Sequence, residues 1–174
     1  MPIDWSNLRI VCYPDPVLKK TAAKVDEFGP QVDALARRML ELMRQAEGVG
    51  LAAPQVGLGR RLFVCNVTGE PKDDQIFVNP RFLELSGAEE KAEGCLSIPG
   101  ASVTTRRATH AIIEAFTPTG ERFERAGEGL LARAWQHEVD HLDGRLIIDS
   151  MSSTDEIANR RAIKQLRDDY ARRR

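Results

Sequence analysis

Between Pro30 and Glu47, apolar residues recur at three- and four-residue steps: Val32, Leu35, Ala36, Met39, Leu40 and Met43, with Arg37, Arg38, Glu41 and Arg44 between them. That period puts the apolar set on one helix face, with Pro30 in the first turn and Gly48 at the stop. Elsewhere the pattern is extended. Leu8 to Leu18 is a short extended piece halted by Pro14 and Pro16, with a single helical turn after it. Leu62 to Val67 reads as a buried strand, Glu70 to Asp74 as a polar turn, and Gln75 to Leu85 as a further strand interrupted at Asn79-Pro80. Thr109 to Phe116, the turn Pro118-Thr119-Gly120 and the return Glu121 to Ala126 form a hairpin pattern. Leu130, Leu131, Ala134, Trp135, Val139 and Leu142 then predict a helix apolar on more than one side, hence buried and central, ended by Gly144. A short strand at Leu146-Ile147-Ile148 follows. Ser153-Thr154-Asp155-Glu156 reads as a capping box opening a last helix.

Composition narrows the class. At 174 residues the chain fits one domain, residues 1–174, able to bury its own core. Charges nearly balance at a net of -1, which argues against a general nucleic-acid coat and against DNA as a partner. The balance is global, not local. Residues 154–174 hold seven Lys/Arg against four acids, net +3, so the remainder carries -4. The N-terminus, Met1-Pro2-Ile3-Asp4-Trp5, lacks the pattern of a secretory signal. No apolar run approaches the ~20 residues of a membrane span, so no membrane association is expected. Three cysteines without an export signal do not read as a disulfide framework. A cytoplasmic setting is the expectation, with Cys12 and Cys65 as structural thiols in apolar surroundings.

Chemistry concentrates at Gln136-His137-Glu138-Val139-Asp140-His141. Residues four apart share a helix face, so His137 and His141 project together, either as polar residues on a helix surface or toward one metal ion that Glu138 flanks as a base for activated water. A third ligand is needed. Glu93-Gly94-Cys95-Leu96-Ser97-Ile98-Pro99-Gly100 is a polar, glycine-bearing cluster, and Cys95, outside any apolar strand, is a soft third donor. A third cluster, Gly48-Val49-Gly50-Leu51-Ala52-Ala53-Pro54-Gln55, has little side-chain bulk and permits close backbone approach. It reads as a tight helix-to-strand connection or as a peptide-binding edge. Gln55 is its one polar side chain. His110 opens a strand and reads as a surface residue.

These three clusters, in this order, closely resemble the peptide deformylase family, and Tyr13-Pro14-Asp15-Pro16-Val17-Leu18 resembles the family's N-terminal segment. The resemblance implies metal-dependent removal of the N-formyl group from newly made polypeptides. It implies an α+β fold, with small antiparallel sheets around the central metal-bearing helix and a C-terminal helix. Cys95, His137 and His141 would be the ligands and Glu138 the general base and acid. Gln55 and the Leu96 N–H would stabilise the oxyanion, and Gly50 would bond the substrate backbone. Val49, Leu130 and Ala134 would match the methionine pocket, with Arg133 polar beside it. Arg107 would pair with Glu93 beneath the metal. The family metal is Fe(II), with Ni(II), Co(II) or Zn(II) as substitutes, and the basic tail at 154–174 would suit ribosomal RNA.

Two departures stand out. Many relatives carry an arginine seven residues after the ligand cysteine, where this chain has Ser102, and Trp135 stands where a smaller aliphatic residue is common. Two other readings are open. A zinc protease of the His-Glu-x-x-His class would need Asp143, Asp149 or Glu156 as third ligand and leaves Cys95 idle. A deformylase-like protein that binds without turnover would not need the full set of Gln55, Cys95, His137, Glu138 and His141.

Overall fold

The computed structural model describes residues 3–174; Met1 and Pro2, part of the N-terminal stretch read for a signal, lie outside them. Helix α1 (Pro30–Gln45) follows the predicted period, with Val32, Leu35, Ala36, Met39, Leu40 and Met43 buried. Its end differs from the expectation. Glu47, not Gly48, takes the left-handed conformation (φ 56°). Gly48 serves close packing instead, because a Cβ there would lie 2.7 Å from Leu96 Cδ1.

Five antiparallel strands form one sheet in the order β1-β2-β3-β6-β7: β1 (Gly50–Ala52), β2 (Leu62–Cys65), β3 (Gln75–Ser86), β6 (His110–Phe116) and β7 (Arg122–Glu128). A separate two-stranded ribbon pairs β4 (Glu89–Glu93) with β5 (Val103–Arg107). Neither ribbon strand was expected, since their charged, mostly exposed residues carry no strong alternation. The interruption at Asn79-Pro80 is a bulge in one continuous strand. There Asn79 turns to φ 51° and brackets Val25, accepting from its N–H at 2.8 Å and donating to its carbonyl at 2.9 Å.

All four residues of β2 are buried because the sheet is covered on both faces. Leu62 and Val64 join the α1 core, whereas Phe63 and Cys65 join the core of helix α2 (Gly129–Leu142). A strand buried on both faces reads as an unbroken apolar run. At the centre of the second core, Trp135 meets Phe77 edge-on at 5.4 Å between ring centroids and donates from Nε1 to Gln75 Oε1 at 3.1 Å. Gly127 makes room for it: a Cβ there would come within 2.6 Å of the indole. Gly144 ends the helix at φ 72°, where any side chain would meet the Lys19 carbonyl at 2.8 Å.

Two expectations near the C-terminus are corrected. Leu146-Ile147-Ile148 is not a strand; Ile147–Ser150 is a single 3-10 turn, closed when Asp149 Oδ2 accepts from Leu146 N–H at 2.8 Å. The last helix, α3 (Ser153–Arg172), is capped by Ser152 rather than Ser153, with Ser152 Oγ accepting from Asp155 N–H at 3.1 Å. Among the described residues no helix is long and apolar enough to cross a membrane.

Trp135 is fully buried, so Trp135→Ala is expected to cost about 3–5 kcal/mol of stability. Urea unfolding of the two proteins measures this, and a loss below 1 kcal/mol would contradict the packing described.

Candidate metal centre and active site

Helix geometry brings the two histidines together: His137 Nε2 lies 3.2 Å from His141 Nε2. The turn after β4 supplies Cys95, whose Sγ lies 3.4 Å from His141 Nε2, and all three donor atoms fall within 4.8 Å of one another. Divalent first-row ions bind imidazole nitrogen at about 2.1 Å and thiolate sulfur at about 2.3 Å. Ligand atoms around such an ion therefore lie roughly 3–4 Å apart, and this cluster fits one. Asp143, Asp149 and Glu156 are not part of it. Asp143 is paired with Arg61 at 2.8 Å and Asp149 with Lys19.

Beneath the cluster sits Glu93, 8% exposed. Its carboxylate accepts from Arg107 Nε at 3.0 Å and Nη2 at 2.9 Å, from Arg133 Nη1 at 2.5 Å, and faces His137 Nδ1 at 3.0 Å. Burial opposes its charge, but hydrogen bonds from His137 and Arg107 hold its carboxyl down to about 2. A fixed carboxylate on Nδ1 turns Nε2 toward the metal position. Burial opposes a proton on His137, yet hydrogen bonds with Cys95 and Glu93 raise its pKa to about 10. Burial and the His137 charge keep His141 neutral.

Glu138 is 4% exposed and its Oε2 has no hydrogen-bond partner among the described residues. Burial, reinforced by the charges of Glu93 and Asp140 and opposed by those of His137 and Arg107, pushes its carboxyl up to about 7, which suits a group that takes and returns a proton near neutrality. Gly50 of β1 lies against it: a Cβ there would fall 2.4 Å from Glu138 Oε1. Gln55 is held by its Oε1, which accepts from Ala52 N–H at 2.9 Å, so its amide nitrogen faces Ser97 Oγ at 3.2 Å and Cys95 Sγ at 3.6 Å.

One cavity of about 460 Å³ is lined by Gln55, Cys95, Leu96, His137 and Glu138, and by Val49, Gly50, Leu130, Ala134 and Arg133. Val49 and Leu130 are its large exposed apolar residues, at 40% and 55%. Arg133 lines the cavity, but its donors go elsewhere, to Glu93 and to the carbonyls of Thr105 at 3.0 Å and Glu89 at 2.9 Å. It ties the ribbon to α2. Cys12 is half-buried rather than buried, and His110 is exposed, facing Glu128 at 3.3 Å. Sequence reasoning missed two residues here. Asp140, three positions after His137 on the same helix face, accepts from Arg107 Nη1 at 2.5 Å; that spacing was the available signal. Ser97, fully buried behind Gln55, gave none.

Glu93→Gln leaves two buried guanidinium groups facing a neutral amide. Loss of one partner from a buried pair costs about 3–5 kcal/mol, and loss of such support weakens metal affinity about 10–100-fold. Urea unfolding and a chelator-competition titration read the two effects; an unchanged affinity would show that Glu93 does not support the ligands.

The polypeptide deformylase family model matches residues 7–156. The peptide deformylase of Dictyoglomus thermophilum is 46% identical over 135 residues, 78% of this chain and 86% of that protein. That of Acidobacterium capsulatum is 43% identical over 146 residues, 83% of this chain and 86% of that protein. The fold superposes on crystal structures of peptide deformylases from Legionella pneumophila (TM-score 0.87, 40% identity, 95% of this chain and 98% of the other) and Plasmodium falciparum (TM-score 0.90, 34% identity, 94% and 97%). With the family model spanning most of the chain and the fold shared from end to end, this protein belongs to the peptide deformylases, hydrolases that remove the N-formyl group from newly synthesised polypeptides.

Proposed function

We propose that Cys95, His137 and His141 hold one divalent cation, that Glu138 is the general base and acid, and that Gln55 and the Leu96 N–H stabilise the oxyanion. The carrying observation is that Glu138 lies buried in the one cavity that also contains Gln55, Cys95, Leu96 and His137. When bound, the cation supplies Lewis-acid chemistry, acidifying water and polarising the formyl carbonyl. Glu138 accepts a proton from the attacking water as its oxygen bonds to the formyl carbon. The Gln55 amide and the Leu96 N–H donate to the carbonyl oxygen as it becomes negative, each such donor being worth roughly 3 kcal/mol. Glu138 then delivers its proton to the departing amine as the C–N bond breaks, leaving formate and a free N-terminus.

Gly50 and the other residues of β1 present backbone to an extended substrate, while Val49, Leu130 and Ala134 receive the methionine side chain. The closeness of Gly50 to Glu138 supports exclusion of acyl groups larger than formyl. Iron(II) is the proposed native metal, because a thiolate ligand suits it and renders it sensitive to oxygen; Ni(II), Co(II) or Zn(II) would occupy the same ligands. Residues 1–174 act as one catalytic domain, working in the cytoplasm. The exposed cations Arg160, Arg161 and Lys164 on α3 support ribosomal RNA as a docking partner for residues 154–174.

With Ni(II) loaded, the parent should release free amine from a formyl-Met peptide, and Glu138→Gln should lose at least about 100-fold in kcat while keeping its metal. Normal turnover in that variant would remove Glu138 from the mechanism. Gly50→Ala places a methyl group against the carboxylate and is expected to lower kcat/KM about 100-fold or more with the fold intact; circular dichroism and kinetics together decide it.

A further inference from the structure

The Cys95–Ala101 turn carries Cys95 and Leu96, yet no strand residue lies between Glu93 and Val103. Its own backbone hydrogen bonds are two short closures, Ile98 N–H to the Cys95 carbonyl at 3.0 Å and Ala101 N–H to the Ile98 carbonyl at 3.2 Å. What fixes it comes from outside. Near its start, Tyr13 N–H donates to the Ser97 carbonyl at 2.8 Å, and Val11 N–H donates to the Gln55 carbonyl at 2.8 Å. Just past its end, one side chain satisfies both backbone groups of Ser102. Ser102 N–H donates to Asn159 Oδ1 at 2.9 Å, and Asn159 Nδ2 donates to the Ser102 carbonyl at 2.8 Å.

Asn159 belongs to α3. Its second Nδ2 hydrogen goes to the Asp155 carbonyl at 2.8 Å, so the amide orientation is set and both donors are used. It is 3% exposed, and only Ile163 is otherwise buried on that helix. A polar residue thus occupies one of the two buried positions of α3, where an aliphatic one would serve if packing were the only demand. The contact continues along the turn. Thr104 N–H donates to Asp155 Oδ2 at 3.3 Å, and a Cβ on Gly100 would sit in ordinary contact, 3.5 Å from Ala162 Cβ. At the other end Arg167 donates to the Tyr13 hydroxyl from Nη2 at 2.9 Å and from Nε at 3.2 Å. Helix α3 therefore braces the exit of the turn directly and its entry through Tyr13.

We propose that Asn159 is a positioning residue for deformylation: by bracing Ser102 it fixes the turn that presents Cys95 to the metal and the Leu96 N–H to the oxyanion. This rests on the roles given to Cys95 and Leu96 above. Position 102 is in this chain an attachment point for the C-terminal helix. A methyl group at 159 leaves both backbone groups of Ser102 without that partner, and a displacement near 1 Å at reacting groups is worth up to about 100-fold in rate.

The experiment uses the full chain loaded with Co(II), whose thiolate charge-transfer absorption reports the Cys95–metal bond, alongside kcat, KM and Tm. Parent, Cys95→Ser, Asn159→Ala and Asn159→Asp are compared. Asn159→Ala should shift the charge-transfer band and lower kcat about tenfold, with KM within about twofold. Asn159→Asp, which keeps the acceptor for Ser102 N–H but loses the donor to its carbonyl, should fall between. A lowered Tm with unchanged band and kcat in Asn159→Ala overturns the proposal. Should that variant fail to fold, parent-like kcat and absorption in Asn159→Asp overturn it instead. A band that survives in Cys95→Ser refutes the ligand assignment, a separate failure, and the kcat of the Asn159 variants then decides this inference alone.

Discussion

The buried carboxylate of Glu93 is the interaction on which the site depends. It sits at the end of β4, accepts from Arg107 on β5 and Arg133 on α2, and faces His137 on α2. Two guanidinium groups are held in the interior by this carboxylate and Asp140, with the carbonyls of Thr105 and Glu89 taking the remaining Arg133 donors. The ribbon has no hydrogen-bonded strand pairing to the five-stranded sheet, so these ion pairs, rather than a continuous ladder, join it to the helix that carries His137 and His141. Catalytic geometry and attachment of the ribbon are one network.

That network explains what the sequence disclosed and what it hid. The two helices flanking the sheet were legible because their apolar periods are strong and long. The hairpin of β6 and β7 was legible from its turn. The metal cluster was legible because His137 and His141 are four apart and Cys95 stands in a glycine-bearing turn. The ribbon was not, since Glu89-Glu90-Lys91 and Thr104-Thr105-Arg106 are stabilised by distant partners and not by local alternation. Leu146-Ile147-Ile148 misled for the opposite reason: three apolar residues look extended, but Asp149 reaches back and closes them into a turn. Arg133 was read as polar beside the pocket, which it lines, but the partners of its donors, Glu93 and two backbone carbonyls, were not legible. Spacing along a chain reports shared faces; it does not report which distant group satisfies a donor.

The sheet also separates two kinds of packing. On the α1 side aliphatic and methionine side chains fill the core, while the α2 side is organised by Phe63, Phe77 and Trp135 in stacked and edge-on contacts. Rigid aromatic rings behind α2 restrict movement of the helix that bears both histidines.

The junction between β7 and α2 has no linker. The strand ends at Glu128, the helix begins at Gly129, and Gly129 N–H is anchored to the Thr109 carbonyl at 2.9 Å. The other end of the hairpin is tied differently, by Gly120 N–H to the Thr117 carbonyl at 2.9 Å and by Gly29 N–H to the Pro118 carbonyl at 2.7 Å. An insertion at the junction would rotate His137 and His141 by about 100° around the helix axis. The count of residues across this junction therefore sets the direction in which both histidines face.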